Sequence, residues 1–299
     1  MIYVLPGDGT DNGQNTGIVL KEGQRLLGAG NTQTFVTTKG KVVASAQAKS
    51  QPLISNITGN NVVELANNNE VSGFQIRADV GNEGINAFGT GMNALITHNR
   101  IFGMLGTGIG VLFESTPTLG TVTIEQCAFL GGCDGTSPCT GVNIDDCGNG
   151  TINILSNFFS GDAPTHGLSQ AVAQSTLTTS GSVRINCINN VATQNNNAIT
   201  NGPMMLFLNS APNTAATYRL IGNSVNVPPT TNHKGIRFTN SSPMCINMEN
   251  NDVVVPAGVE GYYIDNSSAF ELFQLNFDTS NRGNIYIPTL PVTSSQGCN

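Results

Sequence analysis

Charge is scarce in this sequence. Asp, Glu, Lys and Arg make up 10% of its 299 residues, 12 basic against 19 acidic, for a formal net charge of −7, whereas an ordinary soluble chain carries about 25% charged residues. Basic runs are missing, which removes the cationic footprint that nucleic acid requires and argues against an anionic membrane surface as a partner. Tryptophan is absent and aromatics reach only 6%, a thin supply for platforms that stack sugars. No window approaches the roughly 18 consecutive apolar residues of a spanning helix. The opening MIYVLPGDGT has neither the basic n-region nor the apolar h-region of a signal peptide. Serine elbows, P-loops and dinucleotide fingerprints are also missing.

Uncharged polar residues fill the gap: Asn, Thr, Ser and Gly are abundant, Gly alone at 35 residues, and 38% of the chain is hydrophobic. That is enough apolar material for a continuous core, so the chain does not read as disordered. An uncharged polar surface fits an exported protein, and the localisation expected is extracellular or cell-surface. Seven cysteines are present, four of them between positions 127 and 147. Their spacings do not match the short CxxC pairs of zinc sites. Two readings stand for this cluster: a local disulfide among Cys133, Cys139 and Cys147 in an oxidising compartment, or burial as small hydrophobes.

One motif recurs, apolar-x-apolar-x-x-Asn-x-apolar. It reads Ala94, Ile96, Asn99, Ile101, then Val122, Ile124, Cys127, Phe129, then Ile152, Ile154, Asn157, Phe159. It continues through Asn190, Asn223 and Asn251, with an earlier copy around Val63, Leu65 and Asn68. Alternating apolar positions mean strands. Asn at the bend tolerates left-handed backbone and can bond to its equivalent one coil away. A second motif, Gly before an apolar strand start, alternates with the first at Gly84, Gly108, Gly141, Gly167, Gly235 and Gly261, with Gly202 a looser member. Units this short cannot bury a core alone and must stack. The expectation is all-β: one domain, 1–299, folded as a single-stranded right-handed parallel β-helix of roughly nine or ten coils at about 4.8 Å each. Asn99, Asn157, Asn190, Asn223 and Asn251 should form a ladder that Cys127 interrupts. Strand text runs from Ile2 to Ile287 without a capping helix at the start, so the chain is expected to be a segment of a larger protein or to be capped by partners.

The opening IYVLPGDGTDNGQNTGIVLKEGQRLLGAG resembles the first coils of right-handed β-helix proteins of the pectate-lyase-like superfamily. The repeats resemble the generic parallel β-helix repeat of polysaccharide lyases, glycosidases, phage tailspikes and bacterial surface passengers. This resemblance implies a fold, and such folds host many functions. Asp145-Asp146, His166-Gly167 and NHKGIRF, with Lys234 and Arg237, loosely resemble in their order the acidic pair, His-Gly and Arg-Lys elements of polygalacturonase-type glycosidases, which implies acid–base carboxylates and cations for a sugar acid. Against it, His166 and Lys234 each stand just before a repeat glycine, and adjacent Asp145 and Asp146 would point to opposite faces of a strand. Calcium at Asp8 and Asp11 in GDGTDNG is the alternative to an ordinary turn; no other cofactor is implied. Three functions follow: a surface rod for adhesion, display or assembly, akin to autotransporter passengers; a polysaccharide lyase or glycoside hydrolase; and a carbohydrate-binding, trimeric tailspike-like module. The partners implied are a polysaccharide or cell-surface ligand, or self-association end to end or side by side.

Overall fold

The computed structural model describes residues 1–46, 51–79, 81–116, 118–133, 139–163, 166–175, 177, 180–194, 203–209, 213–227, 233–240, 244–265, 272–277 and 279–286. Among these residues there is no helix. The strands form two ten-stranded sheets and one eight-stranded sheet, and apart from one hairpin every strand pairing is parallel. A turn of chain visits the sheets in fixed order: Glu83–Phe88 in sheet I, Met92–Thr97 in sheet II, Arg100–Met104 in sheet III. The next turn lays Ile109–Thr116, Leu119–Glu125 and Ala128–Gly131 on top of them. This is the expected parallel β-solenoid.

Parallel stacking puts like on like, and the core is built of columns. Ile96, Ile124 and Ile154 lie over one another in sheet II, all fully buried. Phe129 and Phe159 stack in sheet III with centroids 4.8 Å apart and planes 9° off parallel, so their spacing is that of the strands. Within this apolar interior one polar pair crosses between sheets: the Tyr218 hydroxyl donates to Gln174 Oε1 at 2.7 Å, and Gln174 Nε2 donates to the Leu208 carbonyl. Neither side chain is exposed, and the bonds offset the cost of burying them.

The ladder lies at the corner between sheets II and III. Asn157 donates its backbone N–H and Nδ2 to Asn190 Oδ1 at 3.0 and 3.1 Å. Asn190 does the same to Asn223, and Asn223 to Asn251. The second Nδ2 hydrogen goes back one turn, from Asn157 to the Ile124 carbonyl, from Asn190 to Ile154 and from Asn223 to Cys187. The amides of Asn190 and Asn223 are thereby saturated. Cys127 keeps the backbone half of the pattern, its N–H reaching Asn157 Oδ1 at 2.9 Å, but offers Asn99 Nδ2 only a sulfur at 4.0 Å.

Four expectations about register change. The left-handed residue is the one before the ladder position, as at His98 (φ 55°), Gln126, Ser156, Asn189 and Asn250, because the ladder side chain itself must turn inward. Asn68 (φ 59°) stands at the corner between sheets I and II; the ladder slot of that turn holds Phe74, whose N–H bonds Asn99 Oδ1 at 3.0 Å. Asn281, unforeseen, extends the ladder by accepting from Asn251 N and Nδ2 at 2.7 and 2.8 Å. Finally, the glycine column runs Gly84, Gly110, Gly141, Ala171, Met204, Gly235, Gly261, so Gly108 and Gly167 are not in it; Gly202 falls outside the described residues.

That column has a packing cause. A Cβ at Gly110 would lie 2.8 Å from the Phe129 ring, at Gly141 2.7 Å from Phe159 and at Gly235 2.3 Å from Val253, each in the same turn of chain. The turns that hold Ala171 and Met204 in this column have Ala192 and Val225 at the corresponding place in sheet III. Where that inward side chain is Phe, sheet I gives up its own. A hairpin, Gln33–Thr37 with Gly40–Ala44, departs from the solenoid near its start. Phe35 sits edge-on to Tyr3 at 5.4 Å, and Gln33 Nε2 donates to Ser72 Oγ at 3.2 Å, so the hairpin covers the outward row of Tyr3, Leu27 and Ser72 in sheet II.

Replacing Asn190 by Ala strands the Asn157 N–H and the Ile154 carbonyl and should lower the unfolding free energy by about 3 kcal/mol. Cys127→Asn completes the ladder and should raise it by about 1 kcal/mol. Equilibrium urea unfolding of both variants beside the parent measures these opposite signs.

Candidate functional site

Most ionisable side chains singled out in the sequence come from strands of sheet I and face outward. One row across that face reads Val19, Glu64, Asn86, Leu112, Asn143, Ala173, Leu206, Arg237, Tyr263. A second, two residues further along the strands, includes Phe88, Glu114 and Asp145. Acidic groups gather at the low-numbered end and cations at the other.

Lys234 and Arg237 are brought together. Lys234 Nζ lies 3.7 Å from the centre of the Tyr263 ring and Arg237 Cζ 5.2 Å from it, within cation–π range. Lys234 Nζ is also 3.6 Å from Glu260 Oε2, and Arg237 Nε donates to Thr239 Oγ1 at 2.9 Å. Asp145 is on the same face but three strands away in the sheet order, roughly 14 Å at the ordinary strand spacing. Its Oδ1 accepts from Ser175 Oγ at 3.0 Å. Asp146 does not point into the core as alternation would require: a left-handed backbone (φ 48°) leaves it exposed and returns Cys147 to the interior. His166 is not in the slot before the column glycine, which Gln170 occupies in that turn. It lies on the connection leading to the strand Gln170–Gln174, with Nδ1 2.5 Å from Asp162 Oδ1. Lys234 does hold the slot expected of it.

Asp8 and Asp11 turn to different partners. Asp8 accepts from Thr10 N and Oγ1, bonds that hold its carboxyl below the usual range, while Asp11 Oδ2 pairs with Arg77 at 2.6 Å. Among the described residues no cluster of three or more His, Cys, Asp or Glu side chains is placed to hold a metal. Cys133 and Cys139 form a disulfide; Cys147 is buried, its Sγ 3.3 Å from the Asp145 carbonyl oxygen, and Cys127 and Cys187 are buried free thiols. Burial pushes the thiols of Cys127 and Cys187 up to about 12, which leaves them protonated and inert. Cys245 is disulfide-bonded as well, and Cys298 lies outside the described residues.

At the acidic end, sheet I carries a groove of about 500 Å³ whose lining includes Val19, Asn61, Glu64, Leu65, Asn86 and Phe88. No motif marks these residues; only the register brings them together. Glu83, nearby on the strand that carries Asn86 and Phe88, has its carboxyl raised by burial, with Glu114 adding to the effect. No family model, curated protein or solved structure matches this chain.

One of the three histidines is buried in the interior. His233 is fully buried with neither ring nitrogen hydrogen-bonded. Desolvation lowers its pKa to about 4; the Ser169 backbone works in the opposite sense but approaches the ring without reaching hydrogen-bond geometry. An unfolded chain binds this proton near the ordinary histidine value of 6.5 while the folded one resists it. The stability it contributes is therefore complete above pH 6.5 and is lost progressively as the pH falls towards 4, up to roughly 3 kcal/mol. Denaturant titrations at pH 7.0 and 4.5 should show the parent losing more stability than His233→Met, and equal losses would remove His233 as the cause.

Proposed function

We propose that this chain is an extracellular or cell-surface β-helix of the pectate-lyase-like kind, acting as a non-catalytic rod whose outward face serves adhesion, display or assembly. The observation that carries this reading is the dispersal of the acid–base candidates. Asp145 is held by Ser175, His166 by Asp162 and Lys234 by Glu260, each in its own local pairing, whereas general acid–base catalysis needs groups within hydrogen-bond reach of one reacting centre. The low charge supports an exported setting, and so does the Cys133–Cys139 disulfide, a bond that persists in oxidising compartments. A polysaccharide or another surface ligand is the partner, with self-association as the assembly route.

Two further readings each have one observation in their favour. A carbohydrate-active enzyme is favoured by Asp145 and Arg237 facing outward from the same sheet. A tailspike-like trimer is favoured by the neighbouring Phe158 and Val191, 44% and 40% exposed, on the outward side of sheet III.

Incubation with polygalacturonate and with a neutral glucan, followed by assays for new reducing ends, for unsaturated products and for co-sedimentation, separates these readings. Retention on a polysaccharide without product is the expected result. Product formation that disappears in Asp145→Ala or His166→Ala would establish the enzyme instead, and a trimer by light scattering would favour the tailspike module.

A further inference from the structure

Val19, Glu64 and Asn86 are register partners on three adjacent strands of sheet I, and Phe88 follows two residues after Asn86 on the same face. Two of the four are large apolar side chains left open to solvent, Val19 at 68% and Phe88 at 66% exposure. They stand beside the groove of about 500 Å³, a size within the range of small-ligand sites. Glu64 is the single ionisable group in its lining, and it forms no ion pair among the described residues. Its Oε1 receives only a long bond, 3.4 Å, from Asn61 Nδ2. Asn86 lines the same groove, and its buried Oδ1 has no hydrogen-bond partner.

We propose that this groove binds a neutral sugar residue of a polysaccharide, a proposal that rests on the adhesive reading above and names its ligand class. A pyranose offers an apolar C–H face and a rim of hydroxyls. Phe88 and Val19 meet the apolar face, in the way aromatic rings pair an apolar surface with weak electrostatic direction. The Glu64 carboxylate accepts from hydroxyl donors, and charge-assisted bonds of this kind are the stronger ones; the Asn61 and Asn86 amides serve the remaining hydroxyls. Charge selects among sugars. With a carboxylate as its one ionised group, the groove repels a uronate or sulfated residue, and any acidic polysaccharide has to engage the Lys234–Arg237 end instead. An ammonium ligand is less well served, because one carboxylate and one ring do not enclose a cation.

Saturation-transfer NMR and calorimetry with maltotriose, cellotriose, chitotriose and, as the anionic comparison, trigalacturonate test the proposal on the full chain. Because Phe88 and Glu64 are exposed, Phe88→Ala and Glu64→Gln should keep the parent's thermal midpoint. At least one neutral trisaccharide should bind, with affinity falling about tenfold or more in Phe88→Ala and only a few-fold in Glu64→Gln, whose amide oxygen still accepts. Failure of all three neutral sugars to bind overturns the proposal, as does binding indifferent to Phe88→Ala, or tighter binding of trigalacturonate. Polysaccharide retention that survives Phe88→Ala removes the groove while leaving the adhesive reading intact. Binding accompanied by cleavage supports the groove and overturns the non-catalytic reading.

Discussion

Parallel strands about 4.8 Å apart place each residue over its counterpart one turn away, and this molecule accepts only side chains that tolerate their own kind as neighbours. Isoleucine over isoleucine and phenylalanine over phenylalanine satisfy that condition by dispersion. A buried charge would not, since like would face like at close range in a medium of low dielectric. Asparagine is the polar residue that stacks on itself best, having two donors and one acceptor on a short stem. The ladder from Asn157 to Asn281 is how a buried corner is satisfied under this constraint, and the scarcity of charge in the sequence is its compositional trace.

The same constraint explains what could be read beforehand. The ladder positions were legible because identical chemistry recurs at an identical offset from two strand residues. Asn281 escaped because its turn has one extra residue, placing it four rather than three positions after Phe277. The glycine column was misaligned for a similar reason. Gly108 closes the turn begun at Leu105, and Gly167 lies on a long connection, so both sit near the column in sequence without entering it. Column membership is decided by pairing across turns of unequal length, and no local motif encodes that.

The outward face was harder to read still. Lys234 and Arg237 are close in sequence and meet on Tyr263, so the pattern anticipated them. Val19, Glu64, Asn86 and Phe88 come from three turns, one of them separated by the hairpin excursion, and share no spacing. Asp145 and His166 followed a family order that the fold distributes over distinct places. On a solenoid, nearness in sequence means the same turn, whereas a site is assembled across turns; a motif and a site are therefore almost perpendicular.

The ladder also has a direction. In every rung from Asn157 onward the Oδ1 of the higher-numbered residue faces the lower-numbered turn, so the side-chain amides are arrayed head to tail along the rod. Bonds in such a series polarise one another and strengthen cooperatively. Cys127 divides this polarised series into a short segment and a long one. The buried amides are thus aligned along one direction of the solenoid, where salt in the surrounding medium screens them much less than it screens the ionised groups on the surface.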